Sequence, residues 1–118
     1  MSMDGMTIKR GDILLAALDP VIGHEISKTR PVIIVSNDIG NTYSSTVTVL
    51  PITSKNIQKI YPFEVFLPRD ISGLSKDSKG KADQIRTLDK ARLLKRVGRL
   101  DRELIKKADK AIRLHLNI

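Results

Sequence analysis

The sequence predicts one mainly β domain with a C-terminal amphipathic helix, and three observations support this. The chain has 118 residues, a length typical of a single domain. In its first two thirds, short apolar, β-branched runs alternate with turn-forming segments, as in small barrels and sandwiches. Its last third has apolar residues at helical spacing, so one helix should pack on the strands. We expect residues 1–7 to be a flexible leader and residues 8–118 to be the domain.

Five segments are predicted to be strands because they are apolar, β-branched or alternating. A long loop follows the first strand at residues 19–29, and hairpin loops above about five residues are often functional. Residues 37–45 predict a turn and residues 68–80 a polar connection. Pro51 should mark an edge or a strand end. The predicted strands are residues 12–18, 31–36, 46–52, 62–67 and 81–88.

The C-terminal third predicts helical structure. Asp89 should cap one or two helical turns at residues 89–94. Asp101 should cap a longer helix, with Glu103 favourably placed in the first turn. One face of this helix is apolar, and its lysines and arginines lie off that face. The predicted apolar stripe is Leu104, Ile105, Ala108, Ala111, Ile112 and Leu116.

Composition excludes several kinds of chemistry. The chain has no cysteine, which excludes disulfides, thiol catalysis and cysteine-based zinc sites. Its two histidines are His24 and His115, too few for a multi-histidine metal site, and Lys28 stands where a zinc-protease motif needs its second histidine. We therefore expect no metal and no cofactor. No apolar run approaches the ~20 residues that span a bilayer, and no secretory signal is evident, so we expect a cytoplasmic protein without membrane contact.

The positive charge is concentrated in the second half of the chain. Residues 1–60 hold 6 basic and 5 acidic side chains, and residues 61–118 hold 15 and 8, so the halves carry +1 and +7 of the net +8. A basic surface favours a polyanionic partner, most often nucleic acid. Ordinary solubility charge on a helix face is the alternative explanation.

Several short motifs follow one another along the chain. The central motif is Arg30-Pro31 followed by Val32-Ile33-Ile34-Val35. The others are Arg10-Gly11-Asp12-Ile13, Gly23-x-Glu25, Asn37-Asp38, Pro51-Ile52-Thr53-Ser54, Asp83-Gln84-Ile85-Arg86-Thr87 and Asp89-Lys90-x-Arg92-Leu93. In their order and spacing, these motifs resemble the MazF/PemK toxin family over about residues 8–116.

The resemblance implies a small SH3-like β-barrel with a C-terminal helix, of the MazF/PemK/CcdB type. It implies a homodimeric, metal-independent, sequence-specific endoribonuclease of a toxin–antitoxin pair, which cleaves single-stranded mRNA and is blocked by a MazE-type antitoxin. The family's catalytic arginine and threonine match Arg30 and Thr53. We expect the remaining candidates to contact RNA: His24, Glu25, Ser54, Gln84 and Arg86.

These residue types suit cleavage in which the RNA 2′-hydroxyl attacks the adjacent phosphate. The products are a 2′,3′-cyclic phosphate or 3′-phosphate and a 5′-hydroxyl. A planar guanidinium such as that of Arg30 binds phosphate through two donors, and the Thr53 hydroxyl can donate to a phosphate oxygen. Neither group readily transfers a proton near neutral pH, because arginine stays protonated and threonine is a very weak acid. His24 has a suitable side chain for proton transfer, although the family commonly has a small polar residue at this position.

Structural alternatives remain open for each candidate. Arg30 could pair with Glu25 or Asp38, and Thr53 could bond the local backbone of a turn. Glu25 could instead orient Arg30, and Gln84 could read base edges or pair across a dimer.

Two other functions also remain open. A CcdB-like toxin would poison gyrase, but this chain lacks the C-terminal tryptophan of that group. A non-catalytic nucleic-acid-binding barrel would explain the charge but not the pairing of Arg30 with Thr53.

Overall fold

The computed structural model describes residues 7–118, and this part of the chain forms a seven-stranded antiparallel sheet with a C-terminal helix. The predicted leader at residues 1–7 lies, except for residue 7, outside the described residues. The strands are β1 (Asp12–Ala17), β2 (Thr29–Ile34), β3 (Thr46–Thr53), β4 (Glu64–Leu67), β5 (Ser78–Lys81), β6 (Arg86–Asp89) and β7 (Leu93–Arg99). The helices are α1 (Asp38–Tyr43), α2 (Arg69–Ser72) and α3 (Arg102–Leu116), with 3₁₀ turns at Ala82–Gln84 and Lys90–Arg92.

The strands are hydrogen-bonded in the order β4-β5-β3-β2-β1-β7, and β6 also pairs with β3. β5 and β6 share one side of β3, because β5 pairs with its C-terminal end and β6 with its N-terminal half. Leu50 and Pro51 lie between these two pairings. This explains how Pro51, which lacks an N–H, is tolerated inside a buried strand rather than at the predicted edge or end.

The ends of this strand path meet without hydrogen-bonded closure. Gly73, which ends α2 just after β4, packs against Gly98 of β7. A Cβ on Gly98 would lie 2.0 Å from the carbonyl oxygen of Ser72, so only glycine permits this approach. The mainly β fold with a C-terminal helix is confirmed, and the sheet is curled but not closed in residues 7–118.

The sheet is buried on both faces, which explains the nearly continuous apolar runs of β1 and β2. Ile13 and Ile33 belong to one core cluster, together with Leu104 and Ala108 of α3. Their chain neighbours point to the other face, where a second cluster forms around Leu18. The second cluster includes Leu14, Ala16, Val32, Ile34, Val47, Val49, Leu88 and Leu93.

The C-terminal helix begins as predicted. The Asp101 side chain accepts a hydrogen bond of 2.9 Å from the Leu104 N–H and so caps α3. Leu104, Ala108 and Ala111 are buried. The prediction that Leu116 belongs to the buried stripe is wrong, because its exposed fraction is 47% near the end of the helix.

Several predicted segments differ from the structure. Residues 68–80, predicted as a polar connection, contain α2 and the start of β5, and Leu93 and Leu94, predicted as helical, begin β7. Residues 37–45 contain α1 instead of a turn, because Asn37 caps a helix by accepting from the Gly40 N–H at 2.8 Å. The predicted strand at residues 81–88 is divided, since the 3₁₀ turn Ala82–Gln84 carries the chain from β5 to β6. β7 was not predicted because it is rich in charge and contains Gly98.

Long-range ion pairs account for the position of the charged strand β7 in the sheet. Asp12 is fully buried, and its carboxylate accepts from Arg96 at 2.8 Å and from Arg99 at 2.9 Å. These contacts place the charged residues of β7 beside β1, with which it pairs. Within residues 7–118, every buried side-chain nitrogen and oxygen has a hydrogen-bond partner. No helix in the described range is long and apolar enough to cross a bilayer.

Candidate active site

Arg30 lies near the start of β2, directly after the long β1–β2 loop. Its Nε donates to the Ser27 carbonyl oxygen at 3.3 Å, which ties the side chain to the end of that loop. Among residues 7–118, no carboxylate lies within salt-bridge distance of Arg30. The terminal guanidinium nitrogens, which suit a phosphate, have no hydrogen-bond acceptor in this range.

The two carboxylates considered as partners of Arg30 are engaged elsewhere. Glu25 accepts from the Ile22 N–H at 2.7 Å within the loop. Asp38 accepts from the Arg10 N–H at 2.7 Å, and this hydrogen bond is the largest cause holding the pKa of Asp38 below its ordinary value. The interpretation of Arg30 as a structural ion-pair partner of either residue is therefore wrong within the described chain.

Thr53 is the last residue of β3, the strand next to β2. The ladder between the two strands ends with Val32 opposite Pro51, and Arg30 and Thr53 each lie two residues beyond this pair in their own strands. The Thr53 Oγ1 accepts from the Lys55 N–H at 3.1 Å, so the predicted local turn bond is present. The hydroxyl hydrogen remains available for donation.

A cleft of about 230 Å³ brings Arg30 and Ser54 together. Thr53 lies between two of its lining residues in the chain, Ile52 and Ser54. Another wall comes from the segment that precedes β5 and from the first residue of β5, in a region predicted as a polar connection. That wall consists of Leu74, Ser75, Lys76 and Ser78.

Lys76 and Ser75 are thus additional candidate residues that the sequence prediction missed. Both are exposed, and Lys76 adds a second positive charge to the lining of the cleft that contains Arg30. The only sequence signal was Leu74, an apolar residue within a polar segment, which is buried in the core and anchors this wall.

The other predicted RNA-contacting residues line a separate cleft of about 410 Å³. It is formed by the β1–β2 loop and the β5–β6 connection, and is lined by His24, Glu25, Asp83, Gln84, Ile85 and Arg86. The predicted site residues therefore divide into two groups that belong to two separate clefts. His24 does not line the cleft that contains Arg30.

Gln84 bonds the backbone of the β1–β2 loop with both ends of its amide. Its Nε2 donates to the His24 carbonyl at 3.1 Å, and its Oε1 accepts from the Ile26 N–H at 3.1 Å. Arg86 makes a further connection by donating to the Leu18 carbonyl at 3.3 Å. These two side chains therefore hold the loop that leads into Arg30.

A third and larger cleft, of about 680 Å³, lies between β4 and α3. Ile60, Phe66 and Leu114 contribute apolar surface to it, and Lys107 and Lys110 contribute positive charge. None of the predicted site residues lines this cleft.

Comparison with known proteins shows the family to which the chain belongs. The model of the family described as "PemK-like, MazF-like toxin of type II toxin-antitoxin system" matches residues 9–116. The chain is 40% identical to "Endoribonuclease MazF9" of Mycobacterium tuberculosis, covering 94% of this chain and 98% of the relative.

It is also 40% identical to "Endoribonuclease EndoA" of Bacillus subtilis, covering 94% of this chain and 96% of the relative. In fold it resembles the crystal structure of MazF from Deinococcus radiodurans, with a TM-score of 0.81 and 23% identity, over 96% of this chain and 99% of that one. The chain therefore belongs to the PemK-like, MazF-like toxins of type II toxin–antitoxin systems.

Proposed function

We propose that this protein is a sequence-specific endoribonuclease toxin that cleaves single-stranded RNA without a metal ion. The observation that carries the proposal is the Arg30 guanidinium, which lines a cleft with Ser54 and pairs with no carboxylate in residues 7–118. Membership in the toxin family and 40% identity to two proteins named endoribonucleases support the reaction class.

In the proposed reaction the RNA supplies its own nucleophile. The 2′-hydroxyl oxygen forms a bond to the adjacent phosphorus and loses its proton, while the bond from phosphorus to the 5′ oxygen breaks. That leaving oxygen takes up a proton and becomes a 5′-hydroxyl. The other product is a 2′,3′-cyclic phosphate, which water can open to a 3′-phosphate.

Arg30 and Thr53 stabilise the reacting phosphate in this proposal. Two N–H groups of the Arg30 guanidinium donate to the phosphate oxygens, where negative charge increases in the transition state. The Thr53 hydroxyl donates to the same group and positions the 2′-hydroxyl. Ser54 lines the cleft beside them and offers a further hydroxyl donor.

The second cleft is proposed to bind the nucleotides next to the reacting phosphate. His24, Glu25 and Arg86 line it and offer donors and acceptors of several kinds. His24 is assigned to this binding role and not to proton transfer, since it lies outside the cleft of Arg30. Gln84 acts mainly through the loop that it holds.

The proposed partners follow from the family. A toxin of a type II system is controlled by its antitoxin, here of the MazE type, and we propose that the active form is a homodimer. An enzyme that cleaves mRNA acts where mRNA lies, which places the proposed activity in the cytoplasm.

End-mapping of RNA cleaved in EDTA tests the proposal. An unstructured RNA is incubated with the protein, and the product ends are labelled with and without phosphatase and kinase treatment. We expect 5′-hydroxyl ends and cyclic or 3′-phosphate ends at a recurring sequence. Intact RNA after long incubation, or 5′-phosphate ends, would contradict it. A supercoiling assay run in parallel identifies gyrase poisoning if that is the activity instead.

A further inference from the structure

Lys79 is a buried charged residue that the proposed reaction does not use. It belongs to β5, its exposed fraction is 3%, and it pairs with Thr53 in the ladder between β3 and β5. Its ammonium group has three N–H donors, and three acceptors surround it. These are Glu64 Oε1 at 2.9 Å, the Asn56 carbonyl at 3.0 Å and the Lys59 carbonyl at 3.1 Å.

Two of these acceptors belong to the loop at residues 54–63, which joins β3 to β4 and begins directly after Thr53. Asn56 has the left-handed φ of 55°, so the chain turns sharply where Lys79 binds it. At the other end of the loop, the Glu64 Oε1 also accepts from the Tyr61 N–H at 3.0 Å. The buried Lys79–Glu64 pair thus holds both ends of the loop.

The hydrogen bond from Lys79 to the Asn56 carbonyl also restricts the position of the neighbouring residue, Lys55. The Lys55 N–H donates to Thr53 Oγ1 at 3.1 Å. This bond occupies an acceptor position of the hydroxyl and so restricts the directions in which its hydrogen can point. A fixed loop therefore fixes the direction in which Thr53 can donate.

We propose that Lys79 is a positioning residue, whose ammonium holds the loop at residues 54–63 so that the Thr53 hydroxyl points toward the substrate phosphate. The inference rests on the proposed ribonuclease function. Lys79 touches neither the substrate nor the cleft of Arg30, and it acts through the backbone carbonyls of the loop.

Lys81 provides a matched control. It also pairs with Glu64, through Oε2 at 3.3 Å, but in residues 7–118 it donates to no carbonyl of the loop. Lys81→Met therefore removes one ammonium from the same carboxylate and leaves the loop bonds in place. Lys79→Met removes the loop bonds and keeps a chain of similar length.

Steady-state kinetics and amide hydrogen exchange test the proposal on these variants. For Lys79→Met we expect kcat to fall about 10- to 100-fold, because small displacements of reacting groups are costly. The KM should stay within about twofold, since phosphate and base contacts remain. Exchange at the amides of residues 55–61 should quicken. Lys81→Met should keep kcat and the exchange pattern near wild type.

If Lys79→Met does not fold, Lys79→Met combined with Glu64→Gln removes the uncompensated buried charge and undergoes the same two measurements. An unchanged kcat in a folded variant, or equal losses in Lys79→Met and Lys81→Met, would overturn the proposal. So would slow, unchanged exchange in residues 55–61. Wild-type protein that leaves RNA intact would instead refute the proposed function, and the exchange measurement, made without RNA, still tests the loop.

Discussion

The side-chain oxygen of Gln84 accepts a hydrogen bond of 3.1 Å from the backbone N–H of Ile26, 58 residues earlier in the chain. The amide nitrogen of the same side chain donates to the carbonyl of His24. Gln84 therefore supplies hydrogen-bond partners to the backbone of the β1–β2 loop at two positions. Through Ser27, the same loop also touches the Arg30 guanidinium.

Removal of the Gln84 amide should loosen this loop. Gln84→Ala deletes both bonds, each of which contributes about 1 kcal/mol. We expect faster amide exchange at Ile26, a lower rate of RNA cleavage and a melting temperature that falls by several degrees. Gln58→Ala, at an exposed position in the β3–β4 loop, is the control. Unchanged exchange at Ile26 would show that the loop does not depend on Gln84.

Arg30→Ala should reduce catalysis far more than stability. Loss of one preorganised donor to the reacting phosphate typically costs about 10²–10³-fold in rate. The side chain makes one weak bond, to Ser27, so the free energy of unfolding should change by about 1 kcal/mol or less. Single-turnover cleavage and urea unfolding measure the two effects. Arg102→Ala, at an exposed position of α3, should keep full activity, and an active Arg30→Ala would refute the assigned role.

The buried carboxylate of Glu64 should make stability depend on pH. Burial by itself raises the pKa of Glu64, but hydrogen bonds from Tyr61, Lys79 and Lys81 outweigh burial and hold it below the ordinary value of 4.5. A group whose pKa is lower in the folded state stabilises the fold above its unfolded pKa and loses this effect as the pH falls through its folded pKa. Stability from this source should therefore be constant near neutral pH and fall below about pH 4.5.

Urea unfolding of the wild type and Glu64→Gln between about pH 7 and pH 3 measures this contribution. The difference between the wild type and Glu64→Gln in the free energy of unfolding should become smaller as the pH falls. Asp38, whose pKa is also lowered, chiefly by the Arg10 N–H, affects both proteins equally and cancels. Parallel curves over the whole range would contradict the role of Glu64.

A methyl group at Gly98 should destabilise the fold. Its Cβ would lie 2.0 Å from the Ser72 carbonyl oxygen, so backbone must move, and overpacking of this kind costs about 1–3 kcal/mol or more. Gly40→Ala in α1 is the control, because its Cβ would meet its nearest neighbour at an ordinary 3.6 Å. That change should be neutral or slightly stabilising. Equal melting temperatures for the two variants would refute the close contact.

Local patterns in the sequence were sufficient to predict the strands and the helix whose buried residues occur at a regular spacing. The apolar run of residues 12–18 and the β-branched run after Arg30 correctly predicted β1 and β2, since both are buried on both faces. Asp101 and the apolar spacing after it correctly predicted α3. The motifs around Arg30 and Thr53 indicated the family for the same reason, because each lies within a short stretch of chain.

Only the tertiary structure decided the features that depend on partners far apart in the sequence. β7 was missed because Arg96 and Arg99, two of its charged residues, pair with Asp12, more than eighty residues earlier. Glu64 is buried because Lys79 and Lys81 approach it from β5, which its position in the strand pattern does not reveal. Contacts between distant segments also decide that Gln84 binds the β1–β2 loop. They likewise decide that His24 lies outside the cleft of Arg30. Periodicity reports which face of an element is buried, but which polar groups meet is decided by how distant segments pack.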